Sequence, residues 1–172
     1  MSEGEAPLIL TAELPPELHR RYTDLRAEHF PPERNYLEAH VTLFHAIPSQ
    51  CEAEICRYLA RLVGEVVPPK GRVEGLMSLG GGTAIKLASP ELLSVRDAIA
   101  DHFRGMLTQQ DKHRPRLHVT IQNKVTSTEA KALQARLTGT IEPCAINFPG
   151  LSLYAYRGGP WEFKRRFAFR GK

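Results

Sequence analysis

The chain has 172 residues, 42% of them hydrophobic, a formal net charge of +4 and an isoelectric point near 9.1. That is enough apolar material for one substantial core, or two small lobes packed as one domain over residues 1–172, and a charge balance that suits an anionic ligand without demanding one. Cys51, Cys56 and Cys144 form an odd set without metal-ligand spacing, and MSEGEAPLILTAEL has no basic segment before its short apolar run. A disulfide framework, signal peptide and membrane anchor are therefore not expected, residues 1–6 are expected to be loose, and a cytoplasmic setting fits best.

Along the chain, LILTAEL at 8–14 reads as a short strand, stopped by Pro15-Pro16, which can open a helix but not sit inside one. Leu18, Tyr22 and Leu25 recur at helical spacing until FPPERN breaks the pattern. HVTLFHAI follows as a strand. Ser49 and Glu52 have the spacing of a capping box, and Ile55, Leu59, Leu62 and Val66 continue one helical face up to Pro68-Pro69. RVEGLMSLGGGTAIKLAS reads as two strands around a triple-glycine turn. Ser89-Pro90 marks another helix start, with Leu92, Val95, Ile99, Phe103 and Met106 as its stripe. A second strand, HVTIQNKV, is followed by a helix from about Thr126 carrying Leu133 and Leu137, and the tail forms a hairpin around Gly158-Gly159-Pro160.

Two of these strands nearly repeat, opening His-Val-Thr-aliphatic at His40 and again 78 residues later at His118. Strand alternation puts His40, Thr42 and Phe44 on one side with Val41, Leu43 and His45 on the other; in the second copy His118, Thr120, Gln122 and Lys124 share a side. Each strand thus offers an imidazole and a hydroxyl together, and the absence of a long linker between the copies suggests two related lobes facing one another. Two facing imidazoles suit proton shuttling, one taking a proton from water or a hydroxyl while the other gives one to a leaving oxygen. Phosphodiester cleavage needs both steps. The threonine hydroxyls can donate to non-bridging phosphate oxygens, and no metal is required.

Paired His-x-Thr-x motifs half a chain apart, in this element order, resemble the 2H phosphoesterase superfamily, in particular its 2′-5′ RNA ligase-like and cyclic phosphodiesterase branch. The resemblance implies an α+β fold of two pseudo-symmetric lobes, each with an antiparallel sheet and helices on the outer face, enclosing a central cleft. It further implies metal-independent hydrolysis of 2′,3′-cyclic phosphates or 2′-5′ linkages, with reversible ligation as a further activity. By position, His40 and His118 are the catalytic pair and Thr42 and Thr120 the phosphate binders. The chain departs from the common pattern twice. Where many relatives have Phe-Leu-Gly it has Phe44-His45-Ala46, and where some carry an arginine it has Asn123, leaving Lys124 as the substitute cation. Candidate substrate-binding residues are Phe44, Lys124 and Tyr156; the expected partners are RNA ends or small cyclic-phosphate nucleotides, with no cofactor, metal or membrane, acting as a monomer.

Plainer roles stand beside these. Thr42 and Thr120 also suit strands by shape alone, and Phe44, Tyr154, Tyr156 and Trp161, which could stack a base, also suit packing. His45 falls on the apolar side as a core or strand-end residue, and His19, His29, His102 and His113 have no motif around them. The triple glycine lacks the lysine and hydroxyl of a phosphate loop and reads as a turn, and FKRRF at 163–167 reads as a charged edge. Two rival functions remain: a non-catalytic RNA-end or nucleotide-binding module on the same fold, and a histidine metal site, disfavoured because neither motif offers adjacent carboxylate or cysteine ligands.

Overall fold

All five residues of β1 (Leu8–Ala12) are buried, although an ordinary half-solvated strand would alternate. The computed structural model, which describes residues 6–172, explains this: β1 is an inner strand, paired antiparallel to β2 (Val41–Ile47) on one side and β7 (Gly150–Tyr156) on the other. With β8 (Trp161–Ala168) outside β7, they form one four-stranded antiparallel sheet in the order β2-β1-β7-β8. The second sheet, β5-β4-β3-β6, is built from β3 (Lys70–Ser78), β4 (Thr83–Ala88), β5 (His118–Gln122) and β6 (Cys144–Asn147). Helices α1 (Pro16–His29), α2 (Glu52–Glu65), α3 (Pro90–His102), α4 (Gln109–Lys112) and α5 (Ser127–Leu137) complete the α+β, two-sheet arrangement expected from the sequence.

One continuous apolar cluster lies under both sheets. Leu10, Phe44 and Ile47 of the first sheet, Val73, Ile85 and Leu87 of the second, Ile55 and Leu59 of α2 and Leu92 and Ile99 of α3 all belong to it. Fully burying such a side chain contributes ~1.5–3 kcal/mol, so this shared core holds the sheets to each other. Ala6, which the sequence reading placed in a loose N-terminus, is part of that core; the rest of that segment, residues 1–5, lies outside the described residues.

Local signals set most boundaries. Ser89 caps α3 by accepting from the Leu92 N–H at 3.0 Å, with Pro90 in the first turn, and Thr126 caps α5 by accepting from the Glu129 N–H at 3.1 Å. The expected capping box at Ser49 and Glu52 does not form. The Cys51 N–H donates to the Pro48 carbonyl at 3.0 Å, the segment winds as a 3-10 turn, and Glu52 becomes the first residue of α2. Met106 drops out of the α3 stripe because the helix ends at His102 and Gly105 turns the chain at φ +90°. Two elements escaped the sequence. β6 is only CAIN, with Pro143 and Pro149 close on either side, and α4 is four polar residues capped by Thr108. The triple glycine is a turn for a steric reason: a Cβ on Gly82 would lie 2.2 Å from the Gln122 carbonyl oxygen, so the β3–β4 turn nests on the end of β5.

Candidate active site

The two His-Val-Thr strands occupy equivalent places: β2 is the edge of one sheet, β5 the edge of the other, and the two touch where the sheets meet. Each histidine sits at the point where its strand begins. His40 Nδ1 donates to the Glu38 carbonyl at 2.7 Å, and His118 Nδ1 donates to the Arg116 carbonyl at 2.6 Å. A carbonyl oxygen can only accept, so the same hydrogen bond to the residue two back fixes both rings as the Nδ1–H tautomer and leaves Nε2 as the working nitrogen of each. Thr42 and Thr120 lie two residues on, half-buried like both histidines, and neither hydroxyl is held by another group among the described residues.

Two buried arginines hold this arrangement, and they cross between the halves. Arg26, on the helix that leads into β2, donates to the Thr120 carbonyl of β5 at 2.7 Å, to the Leu37 carbonyl at 3.1 Å and to Asn35 Oδ1 at 3.3 Å. Arg96, on the helix that leads into β5, donates to the Leu43 carbonyl of β2 at 3.4 Å and to the Asp111 carbonyl. Each guanidinium also lies over an aromatic ring, Arg26 over Phe30 and Arg96 over Phe44, both at 4.3 Å. The hydroxyl of Thr23 in turn accepts the Ala39 N–H at 3.0 Å, so α1 fixes the residue just before His40.

The two imidazoles sit in different surroundings. His40 is half-buried by surface area, yet Trp161 lies against its ring, with centroids 5.0 Å apart. Burial above all pushes its pKa down to about 4; the bond to Glu38 opposes this, and the nearby charges of Arg26, His118 and His45 add to it. The surroundings differ in charge too. His40 lines a cavity of about 500 Å³ whose walls include Glu13, Glu38, Tyr154 and Trp161. Thr42, His118 and Thr120 line another of about 470 Å³, with Arg114 and Arg116 in its wall.

Three expectations change. Phe44 does not face the cleft: a bulge between the Leu10↔Phe44 and Thr11↔Thr42 pairs makes Leu43 an extra residue, the alternation flips, and Phe44 is fully buried under Arg96. By the same flip His45, read as an apolar-side residue, is exposed and lines the His118 cavity. Lys124 does not continue the β5 face, because the strand stops at Gln122 and Lys124 turns at φ +57°; Asn123 lines the cavity instead. Tyr156 lies at the end of β7, opposite Trp161 on β8, and is 41% exposed. Arg26, Arg96 and Asp111 were not singled out from the sequence. A charged residue among the apolar positions of an otherwise amphipathic helix is the signal that marks the two arginines.

Among the described residues no three His, Cys, Asp or Glu side chains cluster so as to hold a metal ion, and no helix is long and apolar enough to cross a membrane. The sequence model of the 2′-5′ RNA ligase superfamily matches residues 14–160. Among solved structures the fold is similar to TT0787 of Thermus thermophilus, at 14% identity and TM-score 0.64, covering 96% of this chain and 99% of that one. It is also similar to E. coli LigT complexed with 3′-AMP, at 19% and 0.56, covering 96% and 98%, and to a phosphoesterase, at 21% and 0.56, covering 95% and 98%. No curated protein matches the chain.

Proposed function

The chain belongs to the 2′-5′ RNA ligase superfamily, and on that premise we propose that it is a metal-independent phosphodiesterase acting on 2′,3′-cyclic phosphates or 2′-5′ linkages of RNA or nucleotides. The observation that carries this reading is the matched pair of histidines, each held by its Nδ1–H on the carbonyl two residues back so that Nε2 is left to handle protons. His40, whose surroundings keep it neutral down to about pH 4, is the general base: its Nε2 takes a proton from the attacking water. His118 is the general acid, giving its Nε2 proton to the departing ribose oxygen as the phosphorus–oxygen bond breaks. With a 5′-hydroxyl in place of water, the same pair ligates: the new phosphorus–O5′ bond forms as the phosphorus–O3′ bond of the 2′,3′-cyclic phosphate breaks, His40 taking the proton of the attacking hydroxyl and His118 giving one to the departing O3′. The hydroxyls of Thr42 and Thr120 donate to the non-bridging oxygens, where negative charge gathers in the transition state.

A nucleotide-sized ligand is the matching substrate class: cavities of about 500 and 470 Å³ fall within the usual range for small-molecule sites, and E. coli LigT has been crystallised with 3′-AMP, NADP+ and ATP. The test is turnover of 2′,3′-cyclic AMP and of a 2′-5′ dinucleotide by wild type, His40→Ala and His118→Ala in the presence of EDTA. Turnover by wild type alone supports the proposal. Equal rates in either variant, or a need for added divalent ion, would overturn it.

A further inference from the structure

We infer that His45, oriented by Asp111 and joined by Arg116, forms a subsite for a second phosphate on the substrate, so that the preferred substrates carry one phosphate beyond the diester being cleaved. This rests on the proposed function for its first phosphate, but it follows from a different part of the cleft. The bulge at Leu43 turns the His45 side chain outward, where it is 46% exposed, while its partner Asp111 is 1% exposed. Asp111 is held on every side. Its carboxylate accepts the backbone N–H of His45 at 2.9 and 3.0 Å, that of Ala46 at 2.8 Å, and faces His45 Nδ1 at 3.3 Å. Burial alone would raise its pKa; the bonds from the His45 ring and the His45 and Ala46 backbone outweigh burial and hold the carboxyl below its usual range. A carboxylate fixed in this way takes the Nδ1–H of the ring and turns Nε2 toward the cavity, the role a second carboxylate partner plays for any imidazole that must present one nitrogen.

The cavity that His45 enters has more cation than one phosphate requires. Its wall holds Arg96, Arg114 and Arg116, against Asp111 as its one carboxylate. Arg96 is committed to the backbone and Arg114 to Asp97 at 2.6 Å, but Arg116 is exposed and makes no ion pair among the described residues. Its carbonyl already holds His118, which puts its guanidinium on the chain segment that enters the catalytic strand. The cavity on the His40 side has the opposite character, with Glu13 and Glu38 and no lysine or arginine in its wall. A substrate bridging the histidines is thus drawn with its additional negative charge toward His45 and Arg116 and its uncharged part toward Tyr154 and Trp161. A histidine and an arginine side by side match a phosphate oxygen set by their ring N–H and guanidinium donors together.

Two sources can supply the second phosphate: a 5′-phosphate on a single nucleotide, or the internal phosphate of an oligonucleotide ending in a cyclic phosphate. The experiment separates them. Steady-state kinetics with 2′,3′-cyclic AMP, its 5′-phosphorylated form and ApA ending in a 2′,3′-cyclic phosphate should give wild type at least a tenfold higher kcat/KM on one of the two larger substrates. His45→Gln and Arg116→Ala should each reduce that ratio at least fivefold, and whichever substrate shows the preference names the source. Calorimetric binding of adenosine 2′,5′-bisphosphate against 2′-AMP reads the same subsite without turnover, so an inactive protein that still prefers the bisphosphate through His45 would sink the proposed function and leave the subsite standing. A ratio near one in wild type, or a preference untouched by both substitutions, would overturn the inference.

Discussion

Replacing Arg26 by methionine tests whether the crossed arginines set the catalytic geometry, because methionine nearly fills the space and removes all the donors. Arg26 is 3% exposed and satisfies two backbone carbonyls, Leu37 at 3.1 Å and Thr120 at 2.7 Å. Hydrogen bonds from a charged donor contribute ~1.5–3 kcal/mol each, so the two together are worth ~3–6 kcal/mol. Against this stands the cost of burying the guanidinium, visible in a pKa that burial lowers from 12.5 to about 10, a difference of ~3 kcal/mol that methionine does not incur. The expected net loss on urea denaturation is therefore modest, ~0–3 kcal/mol. Activity should fall further than that implies. In the proposed function Thr120 carries one phosphate contact, and Leu37 lies on the segment that delivers His40, so losing their common anchor should let both drift, and a misplacement near 1 Å can cost ~100-fold. The assay is kcat on 2′,3′-cyclic AMP beside a urea melt, with Arg26→Lys as the control that keeps the charge but not the fork. A methionine variant with the expected stability loss and a kcat within twofold of wild type would refute the argument that this arginine positions the site.

His40→Ala and His118→Ala should each remove nearly all turnover, and the double variant should lose little more, because the pair works as one unit; additive losses would mean independent roles. Thr42→Ala and Thr120→Ala should each slow kcat by ~10²–10³ with a folded protein by circular dichroism, and serine at either position should restore most of it. The acid limb of the pH–rate profile on the free enzyme should sit near pH 4, where His40 takes up a proton and ceases to be a base; a limb near 6.5 would mean an unperturbed His40. Stability should follow the same residue. With a folded pKa of about 4 and an unfolded one of ~6.5, the unfolded chain binds more protons in that window, so stability rises with pH between those values, by at most ~3 kcal/mol, and is flat above. His40→Asn should flatten that slope in denaturation series run from pH 4 to pH 7.

The paired motif was legible because both parts of it are local: a histidine at a strand start and a threonine two residues on share a face whatever the rest of the chain does. The two-sheet α+β fold followed from the same duplication and from Pro, Ser, Thr and Gly punctuation that the structure uses at Ser89-Pro90, Thr126 and Gly82. The errors lie where a local rule was overridden by one residue. The bulge in β2 exchanged the faces of Phe44 and His45, and the end of β5 at Gln122 removed Lys124 from its expected side. No periodicity announces a bulge, since its cause is pairing with β1. The crossed arginines were hidden for a related reason: their partners are backbone carbonyls 94 and 53 residues away, and a carbonyl has no letter in the sequence.

The single core beneath both sheets has a consequence for motion. Lobes with separate cores can hinge, but opening this cleft by rotating one sheet away from the other would expose Leu10, Ile47, Ile85 and Leu87 to water together. Access must then be governed by chain that is outside the core, and two segments qualify: 30–38, ahead of His40, and 104–116, ahead of His118, both rich in exposed residues and lacking long elements. The first is fastened by Arg26 at Leu37 and Asn35, the second at Asp111 by Arg96 and by the backbone of β2. These exposed segments run straight into the two histidines, so any loop motion in them, on the usual timescale of nanoseconds to microseconds, would be passed on to the imidazoles. Substrate, by bridging the pair, would draw both segments taut again.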